Sequence, residues 1–322
     1  MSADDAAPML VFATSDKGGT GRSVTSCNIA YRLALHGLDV AYVDFDFGSP
    51  TAGALFEIGH AERGITDDRG MHSYLRGNTG EPRRLIVGRE TDRPQLRRDA
   101  PGAGQLVLFP GDLGGAEFGC DNAMVARGTA LFAQLLSEFA VVIVDLSAGR
   151  SVALEIALRA TASTMLAHRA HRWLVFHRWT RQHVLAAGGL VHGQHGLIKT
   201  GAIWDRQRDK LLTVEKSEQA RLASMRCVRT AVAASDRTHT VDRPAQAAWL
   251  KEQANALREL ATAKGIGAAM VLGQTPIEPM LQWREQLILD ADVNAGLADP
   301  ATVAAYTDLA RRLTVPTTWD IE

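Results

Sequence analysis

Apolar residues run along the chain in two rhythms. Residues 9–13 form a short unbroken apolar run before a glycine-rich turn, the pattern of a strand buried on both faces. Across residues 23–36 apolar positions recur at helical spacing (Ile29, Leu33 and Leu35, with Ala30 and Ala34), and Gly37 follows as a helix-ending residue. Residues 40–44 are a second apolar run ending in acid. Strand, turn, helix and strand in that order predict a βαβ unit, and with it a parallel sheet carrying helices on both faces. Further strands are predicted at 106–110, 140–145, 172–176 and 268–273, with helices at 124–139 and 245–264 among the stretches between them. Two segments break the rhythm. Residues 63–104 hold Gly, Pro and a run of arginines from Arg83 to Arg98, and residues 194–243 mix charges with helical stretches. Without an internal repeat or a low-complexity linker, the expectation is a single domain over 1–322, with divergent insertions at about 60–104 and 190–245.

Composition narrows the class. The 322 residues are 46% hydrophobic and 22% charged, which is enough apolar material for a sizeable core. With 35 basic against 36 acidic residues the formal charge is −1, so a surface coated throughout for nucleic acid is excluded while a local basic patch is not. Cys27, Cys120 and Cys227 are too few and too scattered for a disulfide framework or a paired zinc motif, and a reducing, cytoplasmic location is expected. The first residues are acidic and lack a signal-peptide pattern, and no window reaches about 18 uninterrupted apolar residues.

The chemistry is concentrated in the first turn, Asp16-Lys17-Gly18-Gly19-Thr20-Gly21-Arg22-Ser23. A loop of this kind turns successive backbone N–H groups inward, and its glycines remove the Cβ atoms that would block a phosphate. The helix that follows adds the positive end of its dipole. A hydroxyl at the end of the loop, here Ser23, is placed to ligate a magnesium ion shared with the β- and γ-phosphates. A glycine-rich turn alone is weak; one that leaves a strand and opens a helix is informative.

This block resembles the deviant Walker A motif of the ParA/MinD group of P-loop ATPases. Val43-Asp44-Phe45-Asp46 resembles the group's second motif, and the run ending at Asp145 resembles its Walker B strand. Asn28, the stretch from Leu108 to Gly111 and the late stretch from Val271 to Pro276 are also similar to parts of that group. The likeness is tight over 9–53, looser at 105–150 and 268–313, and poor at 60–104 and 190–245. It implies an α/β P-loop NTPase fold, a doubly wound, mostly parallel sheet, with ATP and Mg2+ as cofactors. Lys17 would be the signature lysine that reaches the partner's nucleotide in a homodimer, and Asp46 would position the attacking water. Gly18, Gly19, Thr20, Gly21, Arg22, Ser23 and Val24 would line the nucleotide, with Asp44 beside the switch. Ser23 and, through water, Asp145 would hold the magnesium.

One departure stands out. Arg22 occupies the place of the group's second lysine, and Val24 lacks a hydroxyl that many relatives carry there. Arginine keeps the charge but is a longer, planar fork rather than a compact ammonium. That leaves two readings open: a Mg-dependent ATPase that switches a dimer to position or partition a cargo (DNA or a protein assembly), and a weakly or non-hydrolysing scaffold or regulator that binds nucleotide or a protein partner. A third, protein maturation with a metal or cofactor, lacks the cysteine pair it needs. The basic stretch of Arg206, Arg208, Lys210, Arg221, Arg226 and Arg229 is a candidate surface for nonspecific DNA, diluted by neighbouring acids. The arginine run at 83–98 is expected to be a solvated loop. The histidines between His168 and His195 are expected to be solvated or packed rather than metal-bound. The end of the chain, with its proline and terminal acid, does not resemble a lipid-binding helix.

Overall fold

The computed structural model describes residues 7–97, 101–115, 118–166, 169–199, 204–205, 210–211, 214–233 and 244–319. Among the described residues ten strands are present: β1 (Met9–Thr14), β2 (Val40–Phe45), β3 (Leu85–Ile86), β4 (Leu106–Phe109), β5 (Val141–Leu146), β6 (Ala170–Arg178), β7 (Trp204–Asp205), β8 (Lys210–Leu211), β9 (Met225–Val232) and β10 (Val271–Pro276). Eight of them form one sheet in the order β10-β9-β6-β1-β5-β2-β4-β3, while β7 and β8 pair separately. Every neighbour in the large sheet is parallel except β3 against β4. Among the described residues the helices of ten residues or more are α1 (Arg22–Leu35), α2 (Asn122–Glu138), α3 (Val152–Thr161), α4 (Arg181–His192), α5 (Val214–Ala223), α6 (Pro244–Ala263) and α7 (Pro300–Thr314).

Alternation along the central strands sorts the core into two layers. Leu10 and Phe12 of β1 pack with Leu131 and Leu135 of α2, Ile156 of α3, Val184 and Leu190 of α4 and Ala261 of α6. Val11 and Ala13 face the other way, onto Ile29 and Leu33 of α1 and Leu309 and Leu313 of α7. The expected doubly wound, mostly parallel sheet is thus present. The predicted strands and helices fall within a few residues of the observed ones, except that 268–270 is a single 3-10 turn leading into β10.

Two expectations need correction. The stretch 194–243 contains an interior strand, β9, which lies between β6 and β10. Its apolar residues Met225, Cys227 and Val228 are interrupted by arginines, and these are not a solvent-facing stripe. Arg226 is 2% exposed. Its guanidinium lies 5.2 Å from the Trp319 ring centroid, and Nη1 donates to the Met225 carbonyl at 2.7 Å. Arg221 is buried as well, and Arg229 stacks at 3.9 Å on the Trp179 ring. Arg206 and Arg208 lie outside the described residues. The planar guanidinium lies flat on aromatic rings where an ammonium would not, so charge pattern alone misplaces these residues.

The arginine run at 83–98 is likewise not all solvated loop. Arg93 is a tether, donating through Nη2 to both oxygens of Asp292 at 2.6 and 2.7 Å and through Nη1 to Glu57 and the Leu287 carbonyl. The same segment is held to α1 from below. Asn28 donates to the Val24 and Gln286 carbonyls and accepts the Ile288 N–H at 2.9 Å, and Arg32 donates to the Ile288 carbonyl and Asp290. Asn28 is completely buried, so removing its amide leaves the Ile288 N–H and the Gln286 carbonyl without that partner in a dry site. Asn28→Ala is expected to lower the stability by roughly 2–3 kcal/mol. A urea melt checks this: the midpoint should fall with the slope unchanged.

Candidate functional site

The first turn sits where β1 ends beside β5 and β6, at the C-terminal edge of the sheet. This is the edge where open α/β sheets place ligands. Its base is pinned to the turn after β5: the Gly149 N–H donates to the Ser15 carbonyl at 2.8 Å, and Arg150 pairs with Asp16 at 3.0 Å. Lys17, Gly18, Gly19 and Gly21 are exposed, while Thr20 is buried. Gly19 and Gly21 have φ of 69° and 71°, which glycine adopts without strain. A Cβ added at Gly18 or Gly19 would meet nothing within 4 Å, so the lip of the loop is an open cradle. Gly21 opens α1 with no side-chain cap, which leaves the first-turn N–H groups of the helix directed at that cradle. A phosphate fits such an environment.

Three aspartates predicted from the strand ends converge below the loop. Asp44 and Asp145 face each other in register on β2 and β5, with Asp46 just beyond. Arg22, at the start of α1, reaches into this group. Its Nε donates to Asp145 Oδ1 at 2.5 Å, and its Nη2 donates to Asp46 Oδ2 at 2.8 Å. The other nitrogen contacts are long: Nη1 to Ser15 Oγ and Nη2 to Ser23 Oγ, both 3.4 Å. The second oxygen of Asp145 accepts the Tyr42 hydroxyl at 3.0 Å, and Ser26 bonds Tyr42 in turn at 2.8 Å. The Arg22 side chain is 6% exposed and that of Asp145 2%. Burial opposes the charge on Arg22, but the Asp145 and Asp46 carboxylates outweigh it and hold the guanidinium protonated.

Asp44 takes no part in this bridge. Its two oxygens accept the N–H groups of Asp46 and Ala52, both at 3.1 Å, which shapes the turn after β2. Burial, followed by the nearby Asp145 charge, pushes its carboxyl up to about 8. Ser147 clamps the same edge, accepting the Phe47 N–H at 3.0 Å and donating to the Phe45 carbonyl.

Next to the loop lies a cavity of about 310 Å3, lined by Gly19, Thr20, Gly21, Val24, Thr230 and Glu278 among others. Thr230 of β9 donates to the Thr20 carbonyl at 2.5 Å and so fixes the loop from the far side. Buried Glu278 accepts the Thr302 hydroxyl and the Asp299 N–H, which holds α7 against this cavity. Ser15, Tyr42, Thr230 and Glu278 were missed from sequence. Each is a single polar residue in an apolar or mixed stretch, and only packing gives it a partner.

The residues present do not fit magnesium in this arrangement. Mg2+ demands six oxygens in near-octahedral geometry at about 2.0–2.1 Å. Both Asp145 oxygens are engaged, and the Arg22 guanidinium contacts both the Asp145 carboxylate and the Ser23 hydroxyl, the two groups expected to hold the ion. Among the described residues no cluster of His, Cys, Asp and Glu is arranged to hold a metal ion.

The raised Asp44 carboxyl has a consequence for stability. In the unfolded chain it titrates near 4, in the fold near 8, so between about pH 4 and 8 only the folded form keeps the proton. The fold therefore loses stability steadily as pH rises through that window. Asp44→Asn, which cannot titrate, is expected to flatten this decline, as thermal melts at about pH 5, 6.5 and 8 will test.

Comparison with known proteins agrees with this geometry. Residues 11–163 match the CobQ/CobB/MinD/ParA nucleotide binding domain family. Among solved structures, the MinC:MinD cell division protein complex of Aquifex aeolicus superimposes with a TM-score of 0.56 at 17% identity, covering 95% of this chain and 96% of that one. A Borrelia burgdorferi B31 protein assigned to plasmid partition, bound to AMPPNP, gives a TM-score of 0.56 at 13% identity over 95% and 98% of the two chains. The ParA protein of pNOB8 bound to nonspecific DNA gives 0.52 at 14% over 97% and 98%. At these identities the structural likeness is one of fold. No curated protein matches the chain in sequence. Residues 11–163 thus match the CobQ/CobB/MinD/ParA nucleotide binding domain family, in a chain that shares the fold of the MinD and ParA structures along nearly all of its length.

Proposed function

We propose that the chain is a ParA-like ATP-binding protein of low or absent turnover, working as a scaffold or regulator whose nucleotide state controls pairing with a second copy or a protein partner. The whole of 1–322 would act as one P-loop unit. The observation that carries this reading is the open glycine cradle at 17–21, set against the uncapped start of α1. The phosphates would lie on the N–H groups of residues 18–24, and the adjoining cavity of about 310 Å3 would take the nucleoside. Low turnover follows from Arg22. Hydrolysis needs a free carboxylate to orient water and a metal to neutralise charge, and the guanidinium engages both Asp46 and Asp145.

A second reading, the switched ATPase dimer that positions DNA or a protein assembly, is favoured by exposed Lys17. Its side chain stands at the lip of the loop, where a partner's nucleotide could reach it. Of the arginines expected to face DNA, Arg221 and Arg226 are buried, so a protein partner is the better-supported cargo.

Titration calorimetry with ATP and ADP, followed by phosphate release on the same sample, tests the proposal. Binding of both nucleotides without measurable phosphate release supports it. Turnover abolished by Lys17→Ala and by Asp46→Ala favours the switch instead. Gly18→Val gives a control on the site itself. A Cβ there meets nothing within 4 Å in the protein, and the added bulk would stand where the phosphates are proposed to lie, so nucleotide affinity should drop at least about tenfold while the melting temperature stays close to wild type.

A further inference from the structure

We propose that Arg22 is a built-in cation that stands in for the divalent metal, so that this chain takes its nucleotide without Mg2+. The inference rests on the nucleotide reading of the 17–23 loop and adds to it how charge in the site is balanced.

Three observations carry it. The first is position. The guanidinium bridges the Asp145 and Asp46 carboxylates at 2.5 and 2.8 Å and lies against Ser23, so its charge is already set between the hydroxyl and the acid that were expected to hold magnesium. The second is commitment. The Asp145 carboxylate is held from its other side by Tyr42, which is itself tied to Ser26 on α1, and neither Arg22 nor Asp145 has appreciable contact with solvent. Displacing the guanidinium would break two charge-assisted hydrogen bonds and leave a buried cation to find new partners. The third is spare capacity. The remaining N–H groups of Arg22 make only 3.4 Å contacts, to Ser15 and Ser23, on the side of the loop. A phosphate oxygen there would replace two poor contacts with strong ones while the bonds to the acids stay intact. A lysine could not do this. Its ammonium is a single point of charge and has no rigid fork to hold two carboxylates and still face a phosphate.

The arrangement also predicts a competition. Free Mg2+ in solution binds ATP, so a site that accepts only the metal-free nucleotide sees less of its ligand when magnesium is added. The test is the dissociation constant of ATP for the full chain, measured by calorimetry in EDTA and again in excess Mg2+, for wild type and for Arg22→Lys. Wild type is expected to bind at least as tightly in EDTA as in Mg2+. Arg22→Lys withdraws the fork from the acids and is expected to reverse the order, with Mg2+ tightening binding about fivefold or more. As a readout that does not depend on the variant folding, Mn2+ should not be retained with the wild-type protein–ATP complex in equilibrium dialysis. Tightening of wild-type binding by Mg2+ of about fivefold or more, or Mn2+ retained with that complex, overturns this inference and leaves the nucleotide reading standing. No ATP binding in either buffer overturns both.

Discussion

The Arg22 guanidinium, held between Asp145 and Asp46, joins three parts of the fold at one point. Arg22 begins α1, Asp46 follows β2 and Asp145 is the penultimate residue of β5. Burying a charge is costly unless it is paired and hydrogen-bonded, and here two carboxylates meet the guanidinium at a sheet edge where parallel strands deliver acids side by side. Removing either partner would strand a charge in a dry place, so the three positions form a unit. The Tyr42–Ser26 contact extends the unit back onto α1 and sets the rotation of the helix relative to β2.

Helix α1 is therefore the hub of the molecule. Its first turn faces the cradle, while its middle holds the segment between β10 and α7 through Asn28 and Arg32. Arg93 braces the same segment from the opposite side through Asp292. Glu278, at the start of that segment, bonds α7 beside the cavity next to the loop. Helix α7 is thus joined to α1 both by these polar contacts and by the apolar packing of Leu309 and Leu313 on Ile29 and Leu33.

Much of the site is legible in the chain because it is local. The glycines of the loop, the helix after it and the acids at two strand ends are read from neighbours within a few positions, and their order along the sequence is enough to place them on one edge of a parallel sheet. The interior arginines are not legible in the same way. Arg226 and Arg93 carry the same charge as any surface arginine. Their burial depends on Trp319 and Asp292, roughly one hundred to two hundred residues away along the chain. Strand β9 was hidden for the same reason, since arginines within it interrupt the apolar run by which a buried strand is recognised.

The sequence by itself determined the fold class, the location of the glycine-rich loop and the identities of the acids beneath it. These follow from periodicity and from short-range geometry, which backbone sterics and hydrogen bonding control. Only the tertiary structure decided what Arg22 does. From sequence it is a longer lysine at the mouth of a loop, equally able to face a phosphate or to turn away from it. Which way it turns depends on where β2 and β5 place Asp46 and Asp145, residues distant along the chain whose charge-assisted hydrogen bonds to Arg22 form only at contact distance.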